Sequence, residues 1–507
     1  MQKTVPNKLA LIAAPAVFYL FLVVNGLMGI NFGYHWDEHL FVAFADDFHF
    51  HGRIIPTNYL YPSFCYFLTL AASIVFRWFH HLPADAALIQ NMQFTLFTRG
   101  IFVCMASLCV IWVYILALKI TKRFWAAVVA GLIFCCSFEF SYHSRWAVSD
   151  LIAVQFAFLS TLILFLDIQM PRRILISAFI AGVAAGTKYT AGIVCLNILI
   201  TLLLWTSGME KTARKKLFIK YLFYVGLVFG FAFVLTTPGC IYHLKTFISA
   251  IHGQKKIYGT GHLPCDTVIP GWPHFSQMTV YFIFYLFSKY NFASLVISAF
   301  VFIGTAHALR EKKWEVFGLF VVMFIYILYV SSFRVMIVRN DLYVLPYFVV
   351  LAAYGVYSIH EHIKSSGLVR AVDALLAVVI VCSLYGIITA SWSIYAMSSD
   401  NMNKDVADFL KKHPGNRYYF SRQVRLGLPP GYDIARQPTN GPAFLVFFKS
   451  EVKDQDFPPN GFGRYGLVSG PQDVNLNYYP TWSGVPRIVV IKLKDANPAM
   501  LLDVNVE

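Results

Sequence analysis

The sequence predicts an all-α, polytopic membrane protein with about eleven membrane-spanning helices. Of its 507 residues, 58% are hydrophobic and only 13% are charged, and the mean hydropathy is +0.60. A soluble domain cannot bury that much apolar surface. The aromatic content, with 47 Phe and 29 Tyr, is typical of lipid-facing helices and of the belts at membrane interfaces.

The spans are read from apolar runs of sufficient length. The first run, residues 9–30, has 22 residues, against roughly 20 needed to cross a bilayer, so it predicts an uncleaved first helix rather than a signal peptide. The remaining predicted spans are 98–118, 124–141, 151–167, 174–187, 190–205, 217–237, 291–309, 315–333, 343–360 and 369–391.

The net charge of +15 indicates membrane topology and not a nucleic-acid partner, because the basic residues lie in short gaps between apolar runs. The basic gaps are residues 3–8, 119–123, 171–173, 210–216 and 310–313. They predict a cytoplasmic N-terminus and an external chain after Trp392. The apolar segments 60–79 and 275–287 would reverse this bias if they were spans, so they are predicted to lie along the interface.

Two domains are predicted. Residues 1–392 form the transmembrane domain, with a first external loop at 32–97, and residues 393–507 form a small external α+β domain. Within the second domain, residues 486–493 (PRIVVIKL) predict a strand and residues 403–413 an amphipathic helix. The nine cysteines show no metal or redox spacing. Cys240 and Cys265 fall in one predicted external loop, and the sequence is compatible both with a disulfide between them and with two free thiols.

Ionisable residues converge on the predicted external face. They are Asp37 and Glu38 after the first helix, Arg145 and Asp150 between the third and fourth, Lys188 in the turn of a short helix pair, and Arg339 before the tenth. Each also allows a structural explanation. Asp37 and Glu38 would cap the following helix, and Arg145 and Asp150 would form an ion pair that closes a loop. Lys188 would extend to the lipid headgroups, and Arg339 would be a surface anchor. Charges at membrane depth are costly, however, and favour a functional site.

The chemistry of this face suggests sugar transfer. A carboxylate can act as general base toward a hydroxyl, and Lys and Arg can hold a phosphate leaving group. Two other classes stay open: a transporter or flippase of a lipid-linked sugar, and a membrane protein that binds lipid without chemistry. A transporter predicts internal repeats and interrupted helices near the midplane, whereas the sequence shows no repeat and its key charges lie at one face.

Six short motifs resemble the GT-C glycosyltransferases, particularly the group of protein O-mannosyltransferases and lipid A aminoarabinose transferases. They are the aromatic-x-Asp-Glu loop after the first helix, YLYPSF (59–64), FTRGIF with Arg99, SRWAVSD (144–150), GVAAGTKYTA (182–191) and RNDLYVLPY (339–347). They follow the family's order between residues 34 and 347 and leave the C-terminal domain outside the match. Relatives often have Arg-Tyr where this chain has Leu342-Tyr343.

The resemblance implies a role for each candidate residue. Asp37 would be the catalytic base, Glu38 would shape the acceptor or a metal site, and Asp150 would support the same centre. Lys188, Arg339 and Arg145 would bind the donor phosphate. The implied substrate-binding residues are Tyr61, His262 and Tyr343, and Glu38 with His262 would hold a divalent metal ion if one is used.

The same resemblance implies an inverting transfer from a polyprenyl-phosphate sugar to a hydroxyl of a lipid, glycan or protein. The C-terminal domain is too short for the large accessory domain of eukaryotic mannosyltransferases. This favours a bacterial inner-membrane enzyme that uses undecaprenyl phosphate as carrier, with its active site and C-terminal domain in the periplasm.

Overall fold

The structure is a computed structural model. It describes residues 8–31, 37–83, 86–89, 91–261, 267–363, 365–399, 417–420, 443–448 and 488–493. Within these ranges the chain is a bundle of helices with one small sheet near its C-terminal end.

The first half of the bundle is built from eight helices. They are α1 (Lys8–Leu27), α2 (Glu38–His51), α3 (Phe64–His80), α4 (Met92–Ser107), α5 (Cys109–Thr121), α6 (Phe124–Cys135), α7 (Phe138–His143) and α8 (Ser149–Ile163). The predicted span 124–141 is divided, because the chain leaves the helix after Cys135 and Ser137 caps α7 by accepting a hydrogen bond from the Phe140 amide. Arg99, at the start of the predicted span 98–118, lies inside α4, which begins earlier, at Met92.

The second half continues the bundle. Its helices are α9 (Met170–Ala185), a 3-10 helix (Tyr189–Val194), α10 (Cys195–Ser207), α11 (Lys211–Thr236), α12 (Gly239–Tyr242), α13 (Leu244–Thr260), α14 (Trp272–Phe284), α15 (Asn291–Arg310), α16 (Trp314–Ser331), α17 (Val338–Asp341), α18 (Val344–His362) and α19 (Ser366–Ser399).

All eleven predicted spans coincide with helices. In the described part of the chain, eight helical segments are long and apolar enough to cross a membrane, among them a continuous 30-residue segment from Met92 to Thr121. The predicted spans 124–141, 151–167 and 174–187 correspond to shorter helices. The segments predicted to lie along the interface, 60–79 and 275–287, are the helices α3 and α14, and their depth in the bilayer stays a prediction.

The centre of the bundle is α18, most of whose residues are buried. It crosses α15 where two glycines meet: a Cβ on Gly304 would lie 2.0 Å from the Leu351 carbonyl oxygen, and one on Gly355 would lie 2.1 Å from that of Phe300. Only glycine allows this approach of two backbones, which resembles the small-residue contacts of membrane helices. The crossing fixes α15 against α18, the helix that directly follows α17.

Gly355→Ala is therefore expected to destabilise the protein by about 1–3 kcal/mol, because the new methyl group would overlap the Phe300 carbonyl. Thermal unfolding in detergent measures the change. The matched control is Gly253→Ala in α13, where no described atom lies within 4 Å of the added Cβ. Alanine is the better helix former by about 1 kcal/mol, so the control should be neutral or stabilising. Equal melting temperatures for the two variants would contradict the close crossing.

A three-stranded sheet belongs to the chain after α19. Its strands are β1 (Arg417–Phe420), β2 (Ala443–Phe448) and β3 (Ile488–Leu493), with β2 in the middle, parallel to β1 and antiparallel to β3. The strand predicted at 486–493 is confirmed, whereas the helix predicted at 403–413 lies outside the described residues. The helix α19 continues to Ser399, whereas the apolar span within it, Ser366–Trp392, ends next to the predicted residue 391. The domain boundary stays a prediction.

Candidate active site

Four charged residues that are far apart in the sequence meet in one buried cluster, which we call the acid–base cluster. Asp37 immediately precedes α2, Asp150 lies in the first turn of α8, Lys188 follows α9, and Arg339 lies in α17. All four side chains are at most 10% exposed. Each sits at a helix end or in a connection, so the cluster forms at one end of the bundle and not halfway along it.

Arg339 bridges the two carboxylates of the cluster. Its Nη2 donates a hydrogen bond of 2.9 Å to Oδ2 of Asp37, and its Nε lies 3.6 Å from Oδ2 of Asp150. The same Oδ2 of Asp37 accepts a second hydrogen bond of 2.9 Å from the Tyr61 hydroxyl. Asp37 is thus held from two sides. Tyr61, predicted to bind substrate, contacts the predicted base directly.

Lys188 belongs to the opposite side of the cluster. Its ammonium group donates to Oδ1 of Asp150 and to the side-chain oxygen of Asn340. Asn340 in turn donates from Nδ2 to the Tyr258 hydroxyl at 3.0 Å, which ties α13 to the cluster. Sequence reasoning missed Asn340 and Tyr258. Asn340 was detectable as the neighbour of Arg339, but nothing in its sequence surroundings singles out Tyr258.

The cluster is close to electrical balance. Two cations, Lys188 and Arg339, face the carboxylates of Asp37 and Asp150. The adjacent Asp341 is fully buried, and neither of its carboxyl oxygens has a hydrogen-bond partner among the described residues. Burial raises the pKa of Asp341 well above its usual value, against the opposing effect of Lys188. A raised pKa favours the neutral form of Asp341, which adds no negative charge to the cluster.

The environment of Asp37 makes its carboxylate a stronger base than a free aspartate. Burial raises the pKa of Asp37 above the usual 3.8, while Arg339 and the Tyr61 hydrogen bond act in the opposite direction. A catalytic base benefits from a pKa closer to the working pH, provided that it still ionises. The position of Asp37 therefore fits proton abstraction from a hydroxyl.

Glu38 is next to Asp37 in sequence but lies in a separate ion pair. The Arg99 guanidinium binds it through two hydrogen bonds, Nε to Oε1 at 2.8 Å and Nη2 to Oε2 at 2.6 Å. The backbone N–H of Ala147 donates a third, at 2.7 Å, to Oε1. Both oxygens are thus occupied, and a metal ion at Glu38 would have to displace a bidentate arginine. These contacts do not fit a metal ligand and favour a structural role.

Arg145 is also outside the acid–base cluster. It is fully buried, and its guanidinium donates to backbone carbonyls of Asn25, Met28 and Ser141 and to the hydroxyl of Ser391. These bonds join α1, α7 and α19. They favour a structural role for Arg145 over the predicted phosphate contact. Asp150, the other candidate partner of Arg145, pairs instead with Lys188 and Arg339.

The remaining predicted site residues have separate positions. Tyr343 is 1% exposed and packs its ring 5.6 Å from that of Tyr326, next to Asn340, whose carbonyl accepts a hydrogen bond from the Tyr326 hydroxyl. A substrate would reach Tyr343 only after side chains move. His262 and Cys265 lie outside the described residues, so the expected histidine contact and the disulfide with Cys240 stay predictions.

Comparison with known proteins supports the fold and does not identify the chain by sequence. No protein-family model matches it, and no curated protein matches it in sequence. Among solved structures, it is similar to ArnT from Cupriavidus metallidurans bound to undecaprenyl phosphate, with a TM-score of 0.53 and 12% identity over 96% of this chain and 98% of that one.

A second similar structure is the archaeal oligosaccharyltransferase AglB from Archaeoglobus fulgidus, in complex with an inhibitory peptide and a dolichol-phosphate. The TM-score is 0.51 and the identity 11%, over 80% of this chain and 58% of AglB. At these identities the likeness shows the fold alone. It confirms the predicted helical membrane fold of the GT-C type.

Proposed function

We propose that this protein is a membrane glycosyltransferase that transfers a sugar from a polyprenyl-phosphate donor to an acceptor hydroxyl. The observation that carries the proposal is the acid–base cluster, in which Asp37, a buried carboxylate with a raised pKa, contacts the buried cation Arg339, while a second buried cation, Lys188, lies on the other side of the cluster. The two similar structures contain undecaprenyl phosphate and dolichol-phosphate, both polyprenyl phosphates, which supports a donor of that class.

In the proposed reaction the acceptor oxygen attacks the anomeric carbon of the donor sugar. The bond between that carbon and the phosphate oxygen breaks, its electrons leave with the phosphate, and Asp37 takes the hydroxyl proton. A single displacement of this kind inverts the anomeric configuration. The departing phosphate gains a second negative charge, which Lys188 and Arg339 are placed to stabilise as they exchange carboxylate contacts for phosphate contacts.

The proposed setting is a bacterial inner membrane, with undecaprenyl phosphate as carrier and the cluster on the periplasmic side. The distribution of basic residues supports this orientation. The acceptor is a hydroxyl of a lipid, a glycan or a protein. The proposed transfer uses Asp37, Lys188 and Arg339 in direct roles, with Asp150, Asn340 and Tyr61 positioning them.

The test is turnover by the purified full chain in liposomes. A panel of undecaprenyl-phosphate sugars is offered with lipid, glycan and protein fractions of a bacterial envelope, and the release of undecaprenyl phosphate is followed. One donor should be consumed only when its acceptor fraction is present. If no donor is consumed but a lipid-linked sugar crosses the bilayer, the flippase alternative replaces the proposal. If neither occurs, the proposal is wrong.

Donor binding is expected to depend on Lys188. The double variant Lys188→Met, Asp150→Asn removes both partners of a buried ion pair, so that neither charge is left unpaired. Because a charge-assisted hydrogen bond contributes about 1.5–3 kcal/mol, affinity for undecaprenyl phosphate should fall roughly 10- to 100-fold. Equilibrium binding measures it, with the exposed Lys215→Met as control. Unchanged affinity would remove Lys188 from the phosphate site.

The pH dependence of transfer is expected to follow Asp37. Only the carboxylate accepts a proton, so kcat/KM should fall as the pH drops through the raised pKa of Asp37. Tyr61→Phe removes a hydrogen bond that lowers this pKa, and the acid limb of the profile should then move to higher pH. Tyr347→Phe, which removes a buried hydroxyl bonded to Thr161, is the control. An acid limb that does not move would exclude Asp37 as the titrating group.

A further inference from the structure

Three potential metal ligands meet at the end of the bundle opposite the acid–base cluster. They are His307 in the last turn of α15, Glu311 directly after it, and His362 at the end of α18. One ligand atom from each lies within 4.8 Å of the others. The 19 residues of α18 separate this group from the cluster by about 28 Å, so it is independent of the proposed function.

The glycine crossing explains why the three residues converge. Gly304, His307 and Glu311 are spaced i, i+3 and i+7, and Gly355 and His362 are also seven residues apart, so each set follows one face of its helix. The close approach at Gly304 and Gly355 therefore continues for two turns. The rings of His307 and His362 end 4.7 Å apart, centroid to centroid.

A hydrogen bond at one ring nitrogen of His362 leaves the other nitrogen able to bind a metal. Its Nδ1 donates to the Ser358 carbonyl at 3.0 Å, which places the lone pair on Nε2. That Nε2 lies 4.0 Å from Oε1 of Glu311. Orientation of a ligating histidine through its second nitrogen is typical of protein metal sites. The hydrogen bond from His362 to Ser358 is therefore evidence for a metal site in addition to the close grouping of His307, Glu311 and His362.

We propose that His307, Glu311 and His362 bind a divalent transition-metal ion of the zinc class, which joins the ends of α15 and α18. Two imidazoles and one carboxylate are a ligand set that zinc accepts, with a fourth position for water. The C-terminal ends of two helices add favourable negative potential for a cation. Metal–ligand bonds of about 2.0–2.2 Å require the ligands to draw closer, which the half-exposed His362 and Glu311 side chains allow.

Two cations nearby oppose the metal. Arg310 and Lys313 both act on His307 electrostatically, and the Lys313 ammonium lies 5.4 Å from the centre of the Tyr354 ring. Their repulsion lowers the affinity and does not block the ligand atoms. A cation–π contact also holds the Lys313 charge over Tyr354.

The test compares zinc binding by the full chain, purified without a histidine tag and stripped by chelator, with binding by His362→Gln and Glu311→Gln. Equilibrium dialysis with metal analysis counts the bound ions. Wild type should bind one zinc ion more than either variant at low zinc, with at least about a tenfold loss of affinity at this site. Zinc should also raise the melting temperature of wild type more than that of the variants.

The matched control is His360→Gln, two residues away on the same helix end, whose Nε2 contacts Asp373 at 2.8 Å. It should bind as much zinc as wild type. Equal stoichiometry and affinity in wild type and in both ligand variants would overturn the proposal. An equal loss in His360→Gln would overturn it too, because binding would then not depend on this triad. Variants that keep sugar transfer while losing the ion would separate this site from the acid–base cluster.

Discussion

Asp37→Asn is expected to lower the rate of sugar transfer about 10²- to 10⁴-fold, the usual effect of removing a general base. Asparagine keeps an oxygen that can accept from Arg339 and Tyr61, so the local geometry should survive. What it loses is the ability to take a proton. Donor binding should persist, because the residues proposed to hold the phosphate are unchanged. Single-turnover kinetics at saturating donor, with donor affinity measured in parallel, separate the two steps.

An aspartate in the helix that follows Asp37 provides the matched control for this experiment. Asp47 lies in α2, about 13 Å along the helix from Glu38, and it is partly exposed and pairs with His51 and Arg53. Asp47→Asn should retain transfer within a few-fold of wild type. If Asp37→Asn also turns over normally, Asp37 is not the base. If it loses donor binding and catalysis together, its role is to hold Arg339 in place.

The long-range convergence of Asp37, Asp150, Lys188 and Arg339 was predictable from topology. Each follows or precedes a predicted span, and the alternation of basic and non-basic gaps assigns all four to one side of the membrane. The helix ends then bring them within contact distance. Span length and charge bias were sufficient to place these residues at one end of the bundle, because apolar spans of fixed length leave little freedom for where their ends lie.

The orientation of individual side chains was not predictable in the same way. Asp37 and Glu38 are adjacent, yet successive positions near a helix start differ by about 100° in direction, so one faces Arg339 and the other Arg99. Arg145 and Asp150 are close in sequence, but the turn before α8 directs Arg145 toward Asn25 of α1. Sequence spacing alone does not decide such directions, since they depend on which helix packs beside the loop.

The contacts of Glu38 lead to the second large effect, which is on stability. Glu38→Gln leaves the Arg99 guanidinium buried without its carboxylate, and removing one partner of a buried ion pair typically costs about 3–5 kcal/mol. Arg99 also stacks over Trp146 at 4.7 Å, so the pair joins α2, α4 and the loop before α8. Thermal unfolding in detergent should show a large fall in melting temperature, while the transfer rate per folded molecule stays within a few-fold of wild type.

Glu361→Gln is the matched control, because Glu361 also pairs with an arginine, Arg123, at 2.7 Å, but both side chains are more than a third exposed. Exposed pairs contribute about 0–1 kcal/mol, so this variant should unfold close to wild type. The comparison separates the two roles considered for Glu38. A stable Glu38→Gln protein without transfer activity would restore Glu38 to the catalytic centre. An unstable but active one would establish that, of two adjacent carboxylates, Asp37 serves the reaction and Glu38 holds the loop that presents it.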